Sequence, residues 1–457
     1  MSTTGPDLGK ATHPAVCFLG DDFTGSTDAL GQYWRFGLRS YLFFRVPTES
    51  AMPAAAAYEV VGVASCTRSL TQAPLEREVL SAFRWFESLA PKIVQYKICS
   101  TVDSSPNIGN IGRVVEIGRR VFGRRPVLVA PAQPEFGRFT LFANQYARDG
   151  SRIYRLDRHP TMSQHPATPM DEADVRLLLE HQARLRVASI DILQLRRHRS
   201  ESLKALRGLL QDGPAAVVAD ALEDRDLSRA VQLWWPDDGV FFAEGSGGLS
   251  RAIASEMTGV ALPQRTGRLS ATTHPLLVLS GSQAPQTRRQ IAHVLAQPEW
   301  TAFRLGRDNL HNLRSGHVAD DIERGVLESL GAGRNTVVYS DSTSGQPETA
   351  RPSTHLDVEF AAKLGTALGR LLQSAVATGV ARRVVICGGD TAGYAMRAVR
   401  ADGMEILSAI GPATFVGLVS TTSPPRDGIE LVLKGGQAGA DDFFSLVQKG
   451  TPAPLKT

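Results

Sequence analysis

Long apolar runs are missing from this sequence, and so is any arrangement of cysteines that would organise a fold. No stretch approaches the roughly 20 apolar residues of a membrane span, and Met1 to Pro14 lacks the charged-then-apolar layout of a signal peptide. The four cysteines, Cys17, Cys66, Cys99 and Cys387, lie far apart, with no Cys-x-x-Cys pair and no histidine at zinc spacing. That excludes a disulfide framework and a structural zinc site, and the four read as buried thiols in a reducing compartment. A cytoplasmic protein is expected. Charge of one sign is scarce as well: Lys+Arg 50 against Asp+Glu 46 gives +4, spread in short mixed runs. Nothing there supports a nucleic-acid partner, and the slight positive excess suits a small anion. Several enzyme signatures are absent too: no Gly-x-x-x-x-Gly-Lys-Ser/Thr phosphate loop, no complete Gly-x-Gly-x-x-Gly, no His-Glu-x-x-His and no Gly-x-Ser-x-Gly elbow.

What is present is an alternation. Short runs rich in Val, Ile, Leu and Phe are separated by segments of helical period, the pattern of βαβ units around a mostly parallel sheet. Strands are predicted at Ala15–Leu19, Tyr41–Val46, Val60–Ala64, Ile93–Ile98, Val127–Ala130 and Val240–Ala243, with helices at Pro74–Ala90, Gly112–Val121 and Leu249–Met257. Thr258–Thr273 then mixes Gly, Pro, Arg, Ser and Thr without sustained period, and the alternation restarts at Leu276–Ser280. Further strands are predicted at Thr336–Ser340, Val384–Cys387 and Leu431–Leu433, and helices at Gln286–Ala296, Asp357–Thr378 and Thr391–Arg400. The reading is two α/β domains with mostly parallel sheets, residues 1–260 and 274–457, with the active site expected in the cleft between them. The basic run Arg196-Arg197-His198-Arg199 reads as a solvated helix or loop surface.

Five segments place polar chemistry at the end of a predicted strand. Asp21-Asp22-Phe23-Thr24-Gly25-Ser26 puts paired carboxylates where open α/β sheets bind ligands, followed by hydroxyls and the free N–H groups of a helix start. Lys97 to Ser105 offers a cation for a carboxylate, and Asp103 and Ser104 offer acceptors for sugar hydroxyls. Ser280-Gly281-Ser282, Gly388-Gly389-Asp390-Thr391 and Lys434-Gly435-Gly436 repeat one logic three times: strand, glycine turn, helix. Glycine admits phosphate close to backbone N–H groups, and Asp390 adds a carboxylate within reach of a magnesium ion. Ser246, in Glu244-Gly245-Ser246-Gly247-Gly248, reads as a ligand-facing or structural turn. His159 and His165, among Pro160, Pro166 and Pro169, read as part of a rigid loop rather than as metal ligands.

Taken in order, these motifs resemble those of the four-carbon acid sugar kinases, two-domain enzymes of carbohydrate catabolism that phosphorylate threonate, erythronate or their oxidised forms with ATP. The resemblance rests on Asp21–Gly25, on Val102–Ser105 with Gly109–Gly112, on Pro131–Arg138 and His165–Met170, and on Gly281–Thr287, Gly388–Gly393 and Leu433–Gly436. It implies an ATP- and Mg2+-dependent kinase in which the first domain binds the acid sugar and the second the nucleotide. Asp21 and Asp22 are then the candidates to orient or deprotonate the acceptor hydroxyl. Thr24, Lys97, Asp103, Ser104 and Arg138 would bind substrate. Ser280, Gly281, Ser282, Gly388, Gly389, Asp390, Thr391, Lys434, Gly435 and Gly436 would bind nucleotide, with Asp390 on the metal. Many members read Asp-Ser-Thr-Leu-Arg-Gly-Asn where this chain runs from Asp103 to Asn110, one residue longer and without the arginine. Arginine commonly grips a carboxylate bidentately, so its absence makes a branched or oxidised acid sugar such as an oxo-isoapionate the alternative to a linear four-carbon acid. A non-catalytic sensor of acid sugar or nucleotide would lack an output segment here, and a dehydrogenase would lack its dinucleotide fingerprint. A homodimer is the expected assembly.

Overall fold

The computed structural model describes residues 13–48, 52–165, 167–235, 239–265, 269–282, 284–306, 316–340, 354–399, 401–411, 414–420 and 428–450. Pro166, Gln283 and Arg400, each part of a segment read above, fall outside them, as do the first twelve residues. The chain divides into two compact units, one of residues 1–21, 32–41 and 46–265, the other of residues 22–31, 42–45 and 266–457. Adjacent Asp21 and Asp22 are therefore assigned to different units.

The first unit is built on seven parallel strands in the order β3-β1-β4-β11-β5-β10-β9. They are β1 (Val16–Gly20), β3 (Val60–Ala64), β4 (Ile93–Lys97), β5 (Val127–Ala130), β9 (Val187–Ile190), β10 (Ala216–Ala219) and β11 (Phe241–Gly245). Continuous apolar runs such as Val-Leu-Val-Ala and Ala-Val-Val-Ala are buried throughout, as strands covered on both faces require. A short antiparallel sheet of β6 (Arg138–Leu141), β7 (Asn144–Asp149) and β8 (Arg152–Arg155) was not anticipated. Its strands are only partly buried, so they carry none of the apolar continuity that marks the others.

In the second unit the order is β13-β14-β12-β15-β18-β17-β16, from β12 (Leu276–Ser280), β13 (Trp300–Leu305), β14 (Asn335–Ser340), β15 (Arg383–Cys387), β16 (Gly403–Gly411), β17 (Thr414–Ser420) and β18 (Ile429–Lys434). The first five are parallel; β16 and β17 add an antiparallel ribbon. Leu42 and Phe43 of β2 (Ser40–Phe43) pair with Met404 and Gly403. The predicted strand Tyr41–Val46 is thus shorter and shifted towards the N-terminus. The helices agree with expectation to within a few residues, at Gln72–Leu89, Ile111–Phe122, Gly247–Thr258, Pro285–Leu295, Thr354–Ala377 and Gly389–Val399. The basic run joins two helices and is exposed, with Arg196 held by Asp226.

Candidate active site

In the second unit β12, β15 and β18 lie side by side, with Ser280, Cys387 and Lys434 in register at their carboxyl ends. A glycine follows each: Gly281, Gly388 and Gly435. β12 stands between β14 and β15, so successive crossovers leave it in opposite directions, and such a switch point is where open α/β sheets bind ligands. Each turn has a glycine where a side chain would crowd its neighbours, although Gly435 itself faces open space. A Cβ on Gly281 would lie 2.3 Å from Thr391 Oγ1, and one on Gly436 would lie 2.8 Å from Ala284 Cβ. Gly388 has φ +107°, a conformation open to glycine, and its N–H donates to Lys434 O at 2.9 Å. Gly389 then opens the helix Gly389–Val399, whose first turn carries the exposed Asp390.

Lys434 lies fully buried beneath these turns. Its ammonium donates to Thr287 Oγ1 at 3.2 Å and to the carbonyls of Gly435 and Gly436 at 3.0 and 3.4 Å. Burial pushes its pKa down, and among the described residues no carboxylate pairs with it. It fixes the turn from below and adds positive field, which is a different service from touching phosphate directly. Asp22 stands against the same turn: a Cβ on Gly389 would come within 2.5 Å of Asp22 Oδ2. Asp22 Oδ1 accepts from the Gly25 N–H at 2.8 Å and Oδ2 from Thr24 Oγ1 at 2.5 Å, so the carboxylate is held rigidly at the start of its helix.

The first unit repeats the switch-point geometry, with β1 between β3 and β4. Asp21 follows β1, Arg68 lies just after β3, and Asp103 lies in the loop after β4. Arg68 grips Asp21 as a fork, Nε to Oδ2 at 3.0 Å and Nη2 to Oδ1 at 2.7 Å, while its Nη1 faces Asp103 Oδ2 at 3.9 Å. Asp103 Oδ1 is buried and accepts no hydrogen bond among the described residues. The loop holding it is strained and braced. Val102 has φ +48°, rare for a β-branched residue. Ser104 Oγ donates to Val102 O at 2.8 Å and accepts from Gln182 Nε2 at 2.7 Å. The Cys99 thiol, 2.8 Å from Thr101 Oγ1, is pushed up to about 11 by burial and by Asp103, and so stays protonated. Burial lowers Arg138, opposed by the charge of Asp103, which places its guanidinium in the same electrostatic neighbourhood.

The structure thus gathers Asp21, Asp103, Ser104 and Arg138 in one neighbourhood, and Asp22 and Thr24 with the glycine turns. Lys97 is buried and donates to Ile98 O at 2.9 Å. Arg68 was missed, although Thr67-Arg68-Ser69 follows an apolar run just as the other motifs do. Glu244, fully buried on β11 beside Tyr96, was passed over as turn sequence; burial and the Asp21 charge push its pKa well up. Ser246 is structural: its Oγ donates to Ala132 O and caps the following helix. His159 and His165 accept backbone N–H groups of their own loop. Among the described residues there is no cluster of three or more His, Cys, Asp or Glu side chains able to hold a metal, and no helix long and apolar enough to cross a membrane.

Residues 16–253 match the profile of the family described as "Sugar-binding N-terminal domain", and residues 277–444 that of "Nucleotide-binding C-terminal domain". The 3-oxo-isoapionate kinase of Paraburkholderia graminis is 33% identical over 449 residues, covering 95% of this chain and 94% of that protein. The chain belongs to the four-carbon acid sugar kinase family. The 3-oxo-tetronate kinases of Methylobacterium radiotolerans and Cupriavidus necator are 30% and 28% identical, covering 94% and 95% of this kinase. Its fold is that of a solved Salmonella typhimurium LT2 protein described as a putative tRNA synthase (TM-score 0.72, 22% identity, 95% of this chain and 98% of that one). The activity of this family member is phosphoryl transfer to a sugar acid.

Proposed function

We propose that the protein transfers the γ-phosphoryl group of ATP to a hydroxyl of a branched oxo acid sugar of the 3-oxo-isoapionate kind, with a linear four-carbon oxo acid as the second reading. The observation that carries the kinase site is the row of three glycines ending three adjacent parallel strands, each turn backed by buried polar groups. The branched substrate is supported by the 33% identical relative and by the altered loop between Asp103 and Asn110, which lacks an arginine.

Phosphoryl transfer asks mainly for positioning and for neutralising charge on the phosphate oxygens. Backbone N–H groups of Gly281–Ser282, Gly389–Thr391 and Gly435–Gly436 line the phosphate end, with Lys434 adding charge from beneath. Magnesium, when bound, neutralises phosphate charge; Asp390 and Asp22 are the carboxylates suited to hold it, since Mg2+ usually takes one or two carboxylates and completes its shell with phosphate and water. The acid sugar lies with Arg68, Asp103 and Arg138, with Asp21 holding Arg68 and Ser104 holding the Asp103 loop. Incubation with Mg-ATP and a panel of acid sugars should release ADP fastest with a branched oxo acid. A linear oxo-tetronate turned over at least tenfold more efficiently would overturn the substrate assignment. Light scattering of the purified protein would test the homodimer.

Two further outcomes are expected. Asp22→Asn keeps the shape and the acceptor for the Gly25 N–H, and the Thr24 hydroxyl can turn to accept from the new amide N–H, so its melting temperature should stay close to that of the wild type, while turnover falls by about 100-fold or more, the scale of losing one positioned charged group. Titrating Mg2+ in that variant should show a raised requirement for the ion; an unchanged Mg2+ dependence would remove Asp22 from the metal end. Chelating Mg2+ from the wild-type enzyme should abolish turnover without changing its circular dichroism, because among the described residues no group of three or more His, Cys, Asp or Glu side chains is placed to hold a structural metal.

A further inference from the structure

Of the three aspartates Asp21, Asp22 and Asp103, two are already engaged. Both oxygens of Asp21 are taken by the Arg68 fork, and Asp21 is only 2% exposed. Both oxygens of Asp22 accept hydrogen bonds from Thr24 and Gly25, and the side chain stands against Gly389 of the phosphate turn. Asp103 differs. Its side chain is nine-tenths buried, one oxygen faces Arg68 Nη1 at 3.9 Å, and the other accepts nothing among the described residues. A buried carboxylate oxygen without a donor is costly, and its persistence calls for a ligand that supplies the missing hydrogen.

The backbone supports the same reading independently. Val102, immediately before Asp103, is held at φ +48°, where a β-branched residue carries strain that the surroundings must impose. They do so from several directions. Val102 N–H bonds to Cys99 O, Ser104 Oγ to Val102 O, Gln182 Nε2 to Ser104 Oγ, and Ser105 N–H to Ile108 O. Ser104 is thereby occupied in holding the loop, and the side chain it serves to aim is its neighbour.

We infer that Asp103, through the unpartnered Oδ1, is the general base of this kinase, and that Asp21 serves as a positioning residue holding Arg68 beside it. This rests on the kinase reading of the preceding section. In the step, the acceptor hydroxyl gives its proton to Asp103 Oδ1 as its oxygen forms a bond to the γ-phosphorus. The bond from that phosphorus to the β,γ-bridging oxygen breaks, and ADP leaves with the electron pair. The proton passes from Asp103 to solvent after product leaves. Arg68 keeps the second oxygen oriented and offsets the approach of an anionic substrate to two carboxylates.

The test is Asp103→Asn, nearly the same shape, read by kcat and, separately, by calorimetric binding of the acid sugar. The expected result is a kcat at least about 100-fold lower, with sugar affinity within threefold of the wild type and an unchanged circular dichroism spectrum. A kcat within fivefold of the wild type would overturn the inference. So would loss of sugar binding with kcat kept at saturating sugar, which would make Asp103 a binding group only. Ser104→Ala gives the second arm: as a loop brace it should lower kcat in the same direction but by less than Asp103→Asn, and the reverse order would overturn the assignment. The wild-type arm separates the two levels of argument. If the wild-type protein phosphorylates none of the acid sugars, the substrate reading has failed; if it does and Asp103→Asn keeps pace, only the base has been misassigned.

Discussion

Replacing Gly389 by valine should abolish measurable ADP binding, with an affinity loss of at least about 100-fold, or roughly 2.7 kcal/mol. Backbone conformation is not the reason, because positive φ belongs to its neighbour Gly388. Space is the reason. A Cβ at position 389 would lie 2.5 Å from Asp22 Oδ2 and 3.5 Å from Thr24 Oγ1. Asp22 is not free to retreat, since both of its oxygens are hydrogen-bonded and its side chain is buried. Displacing it gives up hydrogen bonds to a charged group, each worth about 1.5–3 kcal/mol, and the two valine methyl groups would add bulk beside the first-turn N–H groups. Calorimetric titration with ADP measures the effect; an affinity within threefold of the wild type would mean that phosphates do not sit at this turn.

The second large effect is expected for Arg68→Gln. Glutamine cannot reproduce the fork on Asp21, which would then be a buried carboxylate without its cation. Removing one partner of such a pair typically costs about 3–5 kcal/mol, and the partial exposure of Arg68, 21% of its side chain, points to the lower end. Urea unfolding should show the midpoint falling with an unchanged slope. Catalytic efficiency towards the acid sugar should fall by about 100-fold or more, because the guanidinium also faces Asp103. Arg68→Lys should recover part of the stability and little of the efficiency, since an ammonium offers a point charge in place of a planar fork. Wild-type stability in Arg68→Gln would show that Asp21 finds water or another donor in its place.

The parallel strands were legible because burial on both faces writes itself as a continuous apolar run, and the glycine turns because neighbouring side chains and, at Gly388, a positive φ favour glycine there. Arg68 escaped notice for a physical reason: a single arginine after a strand looks like any exposed cation until folding brings β3 beside β1 and Asp21 within its reach. Lys434 was visible, but its burial was not, since sequence cannot tell a lysine reaching outward from one folded beneath its own turn. The β6–β8 sheet escaped for the opposite reason, having too little apolar content to announce itself. Val102 is the clearest case of what periodicity cannot carry: a strand-forming residue holds a left-handed conformation in a loop braced by Cys99 and Ser104 and, from far along the chain, by Gln182 on Ser104.

The second unit has a history in time as well as a place in space. Leu42 and Phe43 pair with Met404 and Gly403, about 360 residues further along, and Gly31 lies against the ring of Phe415. At a synthesis rate of roughly 5–20 residues per second, those early segments leave the ribosome about 20–70 s before their partners exist. Phe23, Leu42, Phe43 and Phe44, all buried in the finished protein, must wait through that interval with apolar surface uncovered. A gene cut at residue 274 would therefore yield a C-terminal fragment without the segments that pair with Met404 and Gly403 and lie against Phe415.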